Sequence, residues 1–280
     1  MIEASPTILA PFDKSLQKEA IKQLTRDVKT KDPAILNLLP AQFKLTELLL
    51  NSGVSEVKAD KILLNDGSEI TYGLAVWAAG NEPLPLTLQL IEALGEGKQA
   101  EAQAIARGRV AIDPWLRALG GDGDILVLGD CSCITAGQLP ATAQVASQQG
   151  EYLARLFALN YNMCPGIDAN ENMLLPPKAD PNRSKSVSEK IAAFACQTDD
   201  FAAPFQFLNL GILAYTGDGS ALAQLQLTPA EQGSVKGSGK IGFGLWRSVY
   251  LSKQISWRNR VLVLFDWTKM RIFGRDITRI

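Results

Sequence analysis

The chain contains no histidine in its 280 residues. Ser-His and Cys-His triads are therefore excluded, together with the commonest metal ligand, and any chemistry falls to a cofactor, a carboxylate or a thiol. Cysteine is scarce as well. Cys131, Cys133, Cys164 and Cys196 include no C-x-x-C pair, so neither a zinc site nor a thioredoxin-type centre is indicated and no bound metal is expected. No apolar run approaches the ~20 residues that cross a bilayer. Met1 to Pro6 (MIEASP) lacks the basic and apolar regions of a signal peptide. Charged residues make up 20% and apolar residues 46%, the balance of a globular chain of one large or two ordinary domains.

What is present centres on Asp124 to Gly150, DILVLGDCSCITAGQLPATAQVASQQG. Ile125 to Leu128 is an aliphatic run of the kind that forms a strand buried on both faces of a parallel sheet. It stops at Gly129. Asp130 then stands past the carboxyl end of that strand, where open α/β sheets hold ligands, with a carboxylate able to accept from a sugar-like hydroxyl. Pro140 suits the first turn of a helix running from Ala141 to about Asn160. That helix opens polar, through Gln144, Ser147, Gln148 and Gln149, and closes apolar through Leu153, Leu156 and Phe157. Its polar end is expected to face something other than core.

Met1 to Ala4 looks like the last residues of a strand, and Phe12 to Val28 has helical apolar spacing. An acidic residue such as Glu3 at a strand end is where a Rossmann domain holds a ribose, given a glycine-rich turn upstream. Lys29 to Ala41 is expected to be a loop. Val54 to Val57, Lys61 to Leu64 and Glu69 to Tyr72, with the turn Asn65-Asp66-Gly67-Ser68, read together with Phe43 to Leu50 as a small antiparallel unit. Leu74 to Ala79 (LAVWAA) is expected as a buried strand ending at Gly80, where a tight turn and close backbone approach are possible. A helical excursion over Pro83 to Ala106 and a short strand at Arg109 to Asp113 follow. Asn160 to Ala203 has little periodicity and reads as a long linker or insertion. Strands are expected over Phe207 to Tyr215 and Ala221 to Leu227, then a flexible glycine-rich hinge at Gly233 to Gly244 that contains no GxxxxGK[ST] motif.

The last 36 residues form a basic pole. Leu245 to Ile280 holds eight basic residues against two acidic ones, a net of +6, so the remainder carries -7 of the formal net charge of -1. Trp246, Tyr250, Trp257, Trp267 and Phe273 are interleaved with these cations, Arg258 and Arg260 among them, in the manner of helices lying in a membrane interface.

Four stretches carry a family resemblance: VWAAG at Val76 to Gly80, LGDC at Leu128 to Cys131, LPATAQVASQQG at Leu139 to Gly150, and the tail from Leu245 to Ile277 with its W-R-N-R and F-G-R-D elements. The chain resembles the C-terminal portion of the eukaryotic type II (alternative, rotenone-insensitive) NADH:ubiquinone oxidoreductases. The resemblance implies an α/β, two-dinucleotide-binding-domain (Rossmann-like) flavoprotein fold that is only partial here, ending in an amphipathic helical membrane-anchoring region. Residues 1–74 would complete an NAD(H)-binding domain, 75–160 the second part of the FAD-binding domain, 161–204 a linker and 205–280 the anchor. The family's glycine-rich turns would lie before Met1, leaving this chain inactive alone.

The same resemblance implies a function: hydride transfer from NADH to FAD, then two electrons to a membrane quinone, without proton pumping. It implies a peripheral position on the mitochondrial inner membrane and a homodimer, with no nucleic-acid partner. By resemblance Gly129, Asp130 and Gly80 would contact the FAD, and Ala143 and Gln144 would approach its ring. Gln144, Gln148 and Gln149 would line the quinone pocket, and Glu3 would hold the NADH ribose. Two other readings stand beside it: a non-catalytic, membrane-associated flavin-fold remnant, and a soluble flavin disulfide reductase using Cys131 and Cys133.

Overall fold

A computed structural model describes residues 1–29, 42–44, 46–95, 97–168, 173–180, 201–217, 219–226, 234–254 and 256–274. The expected loop at Lys29 to Ala41, Cys196 and the final R-D of the F-G-R-D element lie almost wholly outside that set. In chain order the elements are α1 (Lys14–Leu24), β1 (Asp27–Lys29), β2 (Gln42–Lys44), β3 (Val54–Val57), β4 (Lys61–Leu64), β5 (Glu69–Thr71), α2 (Pro85–Ala93), α3 (Lys98–Ala106) and β6 (Val110–Ile112). A 3-10 turn (Gly129–Cys131) leads into β7 (Ser132–Ile134) and α4 (Ala143–Ala158). Short strands β8 (Tyr161–Asn162), β9 (Ile167–Asp168), β10 (Met173–Leu174) and β11 (Lys178–Ala179) precede β12 (Ile212–Gly217), β13 (Ser220–Gln226), β14 (Ser234–Gly237), α5 (Gly239–Ser252) and α6 (Trp257–Phe273).

Two compact units result. Met1–Trp77 joins Leu208–Ile280 in one, and Ala78–Phe207 forms the other. Residues 1–74 and most of 205–280 fall in the same unit.

The first unit is built on the antiparallel sheet β12-β13-β14. β13 is buried on both faces, with Ala221, Leu222 and Ala223 fully enclosed. Leu222 joins Phe12, Leu16 and Ala20 of the α1 side, which is the i, i+4 stripe read from the sequence. On α5, Gly242 lies so close to Ala221 that an added Cβ would sit 2.1 Å from its carbonyl oxygen. α1 starts later than expected because Asp13 caps it, accepting the Ser15 N–H at 2.9 Å. Asp13 also pairs with Lys236 of β14 at 2.9 Å, tying the chain's beginning to its late sheet. The meander β3-β4-β5 forms, its turn fixed by the Asp66 carboxylate accepting the Ser68 N–H at 2.9 Å. The expected segment Phe43 to Leu50 stays out of it: β2 pairs with β1, and Leu49 bridges Ile2 in parallel.

The second unit rests on β6 and β7, which pair in parallel with Val110 opposite Ser132 and Ile112 opposite Ile134. Val110, Ile112, Leu116, Val127, Leu153 and Leu156 pack as its core. Two buried polar side chains brace it. Gln99 of α3 accepts the Ala111 N–H at 2.7 Å and donates to the carbonyls of Ala111 and Leu119. Arg117, 1% exposed, pairs with Asp113 and donates to the carbonyls of Met163 and Leu175 at 2.8 and 2.7 Å.

Four expectations are corrected. Ile125 to Leu128 is not a parallel strand. It folds back on residues 116–118, with a bridge between Leu126 and Arg117 and a Val127 N–H bond to Leu116 at 3.0 Å. An aliphatic run supplies strand propensity but does not choose its partner, and the nearest partner across a glycine turn wins. Leu74 to Ala79 is neither strand nor buried: Val76 is 83% exposed. Among the described residues no strand pairs with it, and an apolar run is extended into a sheet only by neighbours. Within the expected linker, β8 to β11 form two antiparallel pairs, β8 with β11 and β9 with β10, held by Arg117. Gly233 to Gly244 is not a hinge but carries β14 and the first turn of α5.

Candidate functional site

The turn ahead of β7 is where the expected ligand groups converge. Gly129 adopts φ +77°, which costs a side-chain-free residue little. Its N–H donates to Gln149 Oε1 at 2.7 Å and its carbonyl accepts from Ser132 Oγ at 2.9 Å. The next residue, Asp130, is exposed and its carboxylate has no partner among the described residues. The Gly129–Cys131 turn packs on α4. That helix begins at Ala143, two residues later than expected, because Thr142 caps it and accepts the Val145 N–H at 3.4 Å. Pro140 therefore precedes the helix instead of opening it. Ala143 is exposed and Gln144 and Gln148 are half-buried, so the polar start of α4 does face away from the core.

The arrangement suits a polyhydroxylated anionic ligand. An unpaired carboxylate can accept from hydroxyls, a glycine backbone allows close approach, and the early amides of a helix favour negative charge. FAD has these groups, so the residues present fit its ribityl-phosphate region.

Gln149 stands elsewhere than expected. It is 2% exposed, and its amide oxygen is engaged by the Gly129 N–H, so it braces the turn and leaves Gln144 and Gln148 to face outward. The sequence held a signal for this. Val145, Gln149 and Leu153 recur at four-residue spacing and all are buried; an amide within an apolar stripe needs an internal partner. Gly80 also has positive φ (+75°), in exposed backbone with no atom within 4 Å of a Cβ position. Glu3 belongs to the first unit, beside the bridge from Ile2 to Leu49. Its carboxylate accepts the Ser5 N–H at 2.9 Å, and the bonds from Ser5 hold its pKa below the ordinary value.

The cysteines of the C-x-C pair occupy opposite environments: Cys131 is exposed while Cys133 is 3% exposed against the Arg109 guanidinium, and both are free thiols. A dithiol centre needs two accessible sulfurs. No group of three His, Cys, Asp or Glu side chains suited to a metal occurs among the described residues.

At the C-terminus the aromatic residues divide into two sets. Tyr215, Phe243, Trp246, Tyr250 and Trp267 make a continuous ladder with centroid separations of 5.3 to 6.2 Å. Arg247 is sandwiched between Phe243 and Trp267 at 4.8 and 4.6 Å. Tyr250 and Arg247 of α5 therefore meet Trp267 of α6, while Trp246 stacks on Tyr215 and within α5. Arg260 donates to the carbonyls of Gln254 and Ser252 at the end of α5, and lies over Trp257. Trp257 (77% exposed) and Phe273 (80%) are open to solvent, as are Arg258, Leu262 and Phe265. α6 contains no buried residue, and no described helix is long and apolar enough to cross a membrane.

Residues 1–150 match the family described as pyridine nucleotide-disulphide oxidoreductase, and residues 209–276 match the NDH2 C-terminal domain. The chain is 33% identical over 285 residues to the internal alternative NAD(P)H-ubiquinone oxidoreductase A1, mitochondrial, of Arabidopsis thaliana, covering 100% of this chain and 45% of that protein. It is 33% identical over 287 residues to the external NADH-ubiquinone oxidoreductase 2, mitochondrial, of Saccharomyces cerevisiae, covering 99% and 44%. The chain thus spans less than half the length of these curated relatives. Among solved structures it is similar to NDH2 from Plasmodium falciparum in complex with NADH, with a TM-score of 0.65 at 17% identity, over 98% of this chain and 58% of that one. That likeness concerns the fold.

Proposed function

The chain belongs to the pyridine nucleotide-disulphide oxidoreductase family, and from that membership we propose that it serves in non-proton-pumping electron transfer from NADH to a membrane quinone, with FAD as cofactor. The observation that carries the proposal is the exposed Asp130 carboxylate, without a partner among the described residues, on a braced glycine turn that packs on α4. FAD, when bound, supplies the hydride and electron chemistry. The chain's own residues supply position and polarity. Asp130 accepts from ribityl hydroxyls, Gly129 admits the ligand to the backbone, and Ala143 and Gln144 border its ring. Gly80 shapes a second turn at the cofactor, and Gln144 with Gln148 faces the quinone. Glu3, kept ionised by Ser5, accepts from the adenosine ribose of NADH.

The exposed face of α6, with Trp257, Arg258 and Phe273, is proposed to rest on the mitochondrial inner membrane, and two copies are proposed to associate. Relatives named as mitochondrial NADH-ubiquinone oxidoreductases support substrate and location. The disulfide-reductase alternative has little support, since Cys133 is enclosed.

The test is a chimera that joins the part of the Arabidopsis relative that this chain does not span to residues 1–280. NADH-dependent quinone reduction is expected, falling at least ~10-fold on Asp130→Ala, the scale of a lost hydrogen bond to a charged group. A chimera that retains flavin and oxidises NADH without reducing quinone would sink the proposal.

A further inference from the structure

We infer that Gln149 and Ser132 are positioning residues that preset the Gly129–Asp130 turn for the flavin cofactor; the identity of that ligand rests on the proposed function above. Gly129 has no side chain, and its φ of +77° is one that glycine visits freely but does not hold by itself. Its two polar groups are nevertheless both fixed by side chains from different elements. Gln149 comes from the buried stripe of α4 and takes the N–H at 2.7 Å. Ser132, the first residue of β7 and 5% exposed, donates to the carbonyl at 2.9 Å.

Both bonds are partly buried. Loss of the Gln149 acceptor leaves the Gly129 N–H without compensation, whereas the Gly129 carbonyl also accepts the Ser132 N–H and receives the hydroxyl as a second bond. Space does not explain the arrangement, because a Cβ on Gly129 would meet Ala146 only at an ordinary 3.5 Å. The clamp acts on backbone and leaves the neighbouring Asp130 carboxylate exposed, without a partner among the described residues. A turn ordered before its ligand arrives lets the ligand bind without an ordering cost. Gln149 is thereby assigned to the cofactor turn and not to the quinone pocket.

The test has two readouts, the first on the 280-residue chain. Gln149→Leu keeps the apolar stripe and removes the acceptor, whereas Gln149→Glu keeps an acceptor in place. In amide hydrogen exchange followed by NMR, the Gly129 amide is expected to exchange at least ~10-fold faster in Gln149→Leu than in wild type, as for loss of one hydrogen bond. Gln149→Glu should restore protection, and the Ala111 amide should stay protected in all three proteins. Unchanged Gly129 exchange in Gln149→Leu overturns the positioning role. In the second readout FAD is titrated into the chimera of the proposed-function test carrying each substitution, with shifts of the Gly129 and Asp130 amides observed. The midpoint is expected to rise about tenfold in Gln149→Leu and by less in Ser132→Ala, where the Gly129 carbonyl keeps the Ser132 N–H. An unshifted midpoint with altered exchange overturns the link to the cofactor alone. If FAD moves neither amide in wild type, the ligand assignment and the proposed function fall together, whatever the exchange data show.

Discussion

Arg117 shows how a single residue can organise a unit without taking part in its chemistry. Its charge is enclosed, paired with Asp113 and spread over the carbonyls of Met163, Leu174 and Leu175. Arg117→Leu removes one partner of a buried pair and strands the other, so denaturant unfolding should show a loss of about 3–5 kcal/mol. Asp130→Ala should do the reverse: flavin retention in the chimera drops while the melting temperature is unchanged, because the carboxylate has no hydrogen-bond or ion-pair partner among the described residues. The sequence made Asp130 visible because a carboxylate after a Gly at the end of an apolar run is a local pattern. Arg117 and Gln149 were hidden, since their meaning depends on partners 46 and 20 residues away. Only the placement of Gln149 between Val145 and Leu153 hinted at it.

Among elements, those defined by local chemistry were legible and those defined by partners were not. α1, the β3-β4-β5 meander and β6 follow from apolar spacing, the Asp66-Gly67 turn and β-branched residues. Ile125 to Leu128 and Leu74 to Ala79 have the same composition as true strands, yet neither pairs as expected, because pairing is a non-local choice. The packing of α5 on β13 is equally non-local and gives a sharp expectation. Gly242→Ala would gain roughly 1 kcal/mol of helix propensity, but its Cβ would strike the Ala221 carbonyl, a backbone atom that cannot yield. Overpacking of about 1–3 kcal/mol or more should win, lowering the unfolding midpoint.

Asp13 gives a pH dependence at the same scale. The Ser15 hydroxyl and then the Lys236 ammonium hold its carboxyl well below the usual carboxylate range. A depressed folded pKa adds stability that is fully present above the unfolded value of about 3.9 and is lost as pH falls through the folded value. The stability difference between wild type and Asp13→Asn should therefore be constant near neutrality and shrink below about pH 4, as read from unfolding midpoints across pH.

For the whole molecule, the basic aromatic tail was the clearest signal in the sequence, but its division of labour was not. Trp267 holds α6 to Tyr250 and Arg247 of α5, whereas Trp257 and Phe273 stand exposed on α6. Removal of residues 256–280 should thus abolish flotation with anionic liposomes and leave the β12-β13-β14 sheet folded by circular dichroism. Retained flotation would remove the membrane role of α6. Joining of Met1–Trp77 with Leu208–Ile280 in one unit could not be read from composition either, because it rests on contacts such as Asp13 to Lys236 across most of the chain.

The most direct measurement of the central claim is an anaerobic two-step mixing experiment on the chimera carrying residues 1–280. Addition of NADH should bleach the flavin absorbance, and a quinone added next should restore it within the turnover time. Flavin that NADH bleaches and quinone leaves bleached, while a disulfide substrate restores it, would contradict the account.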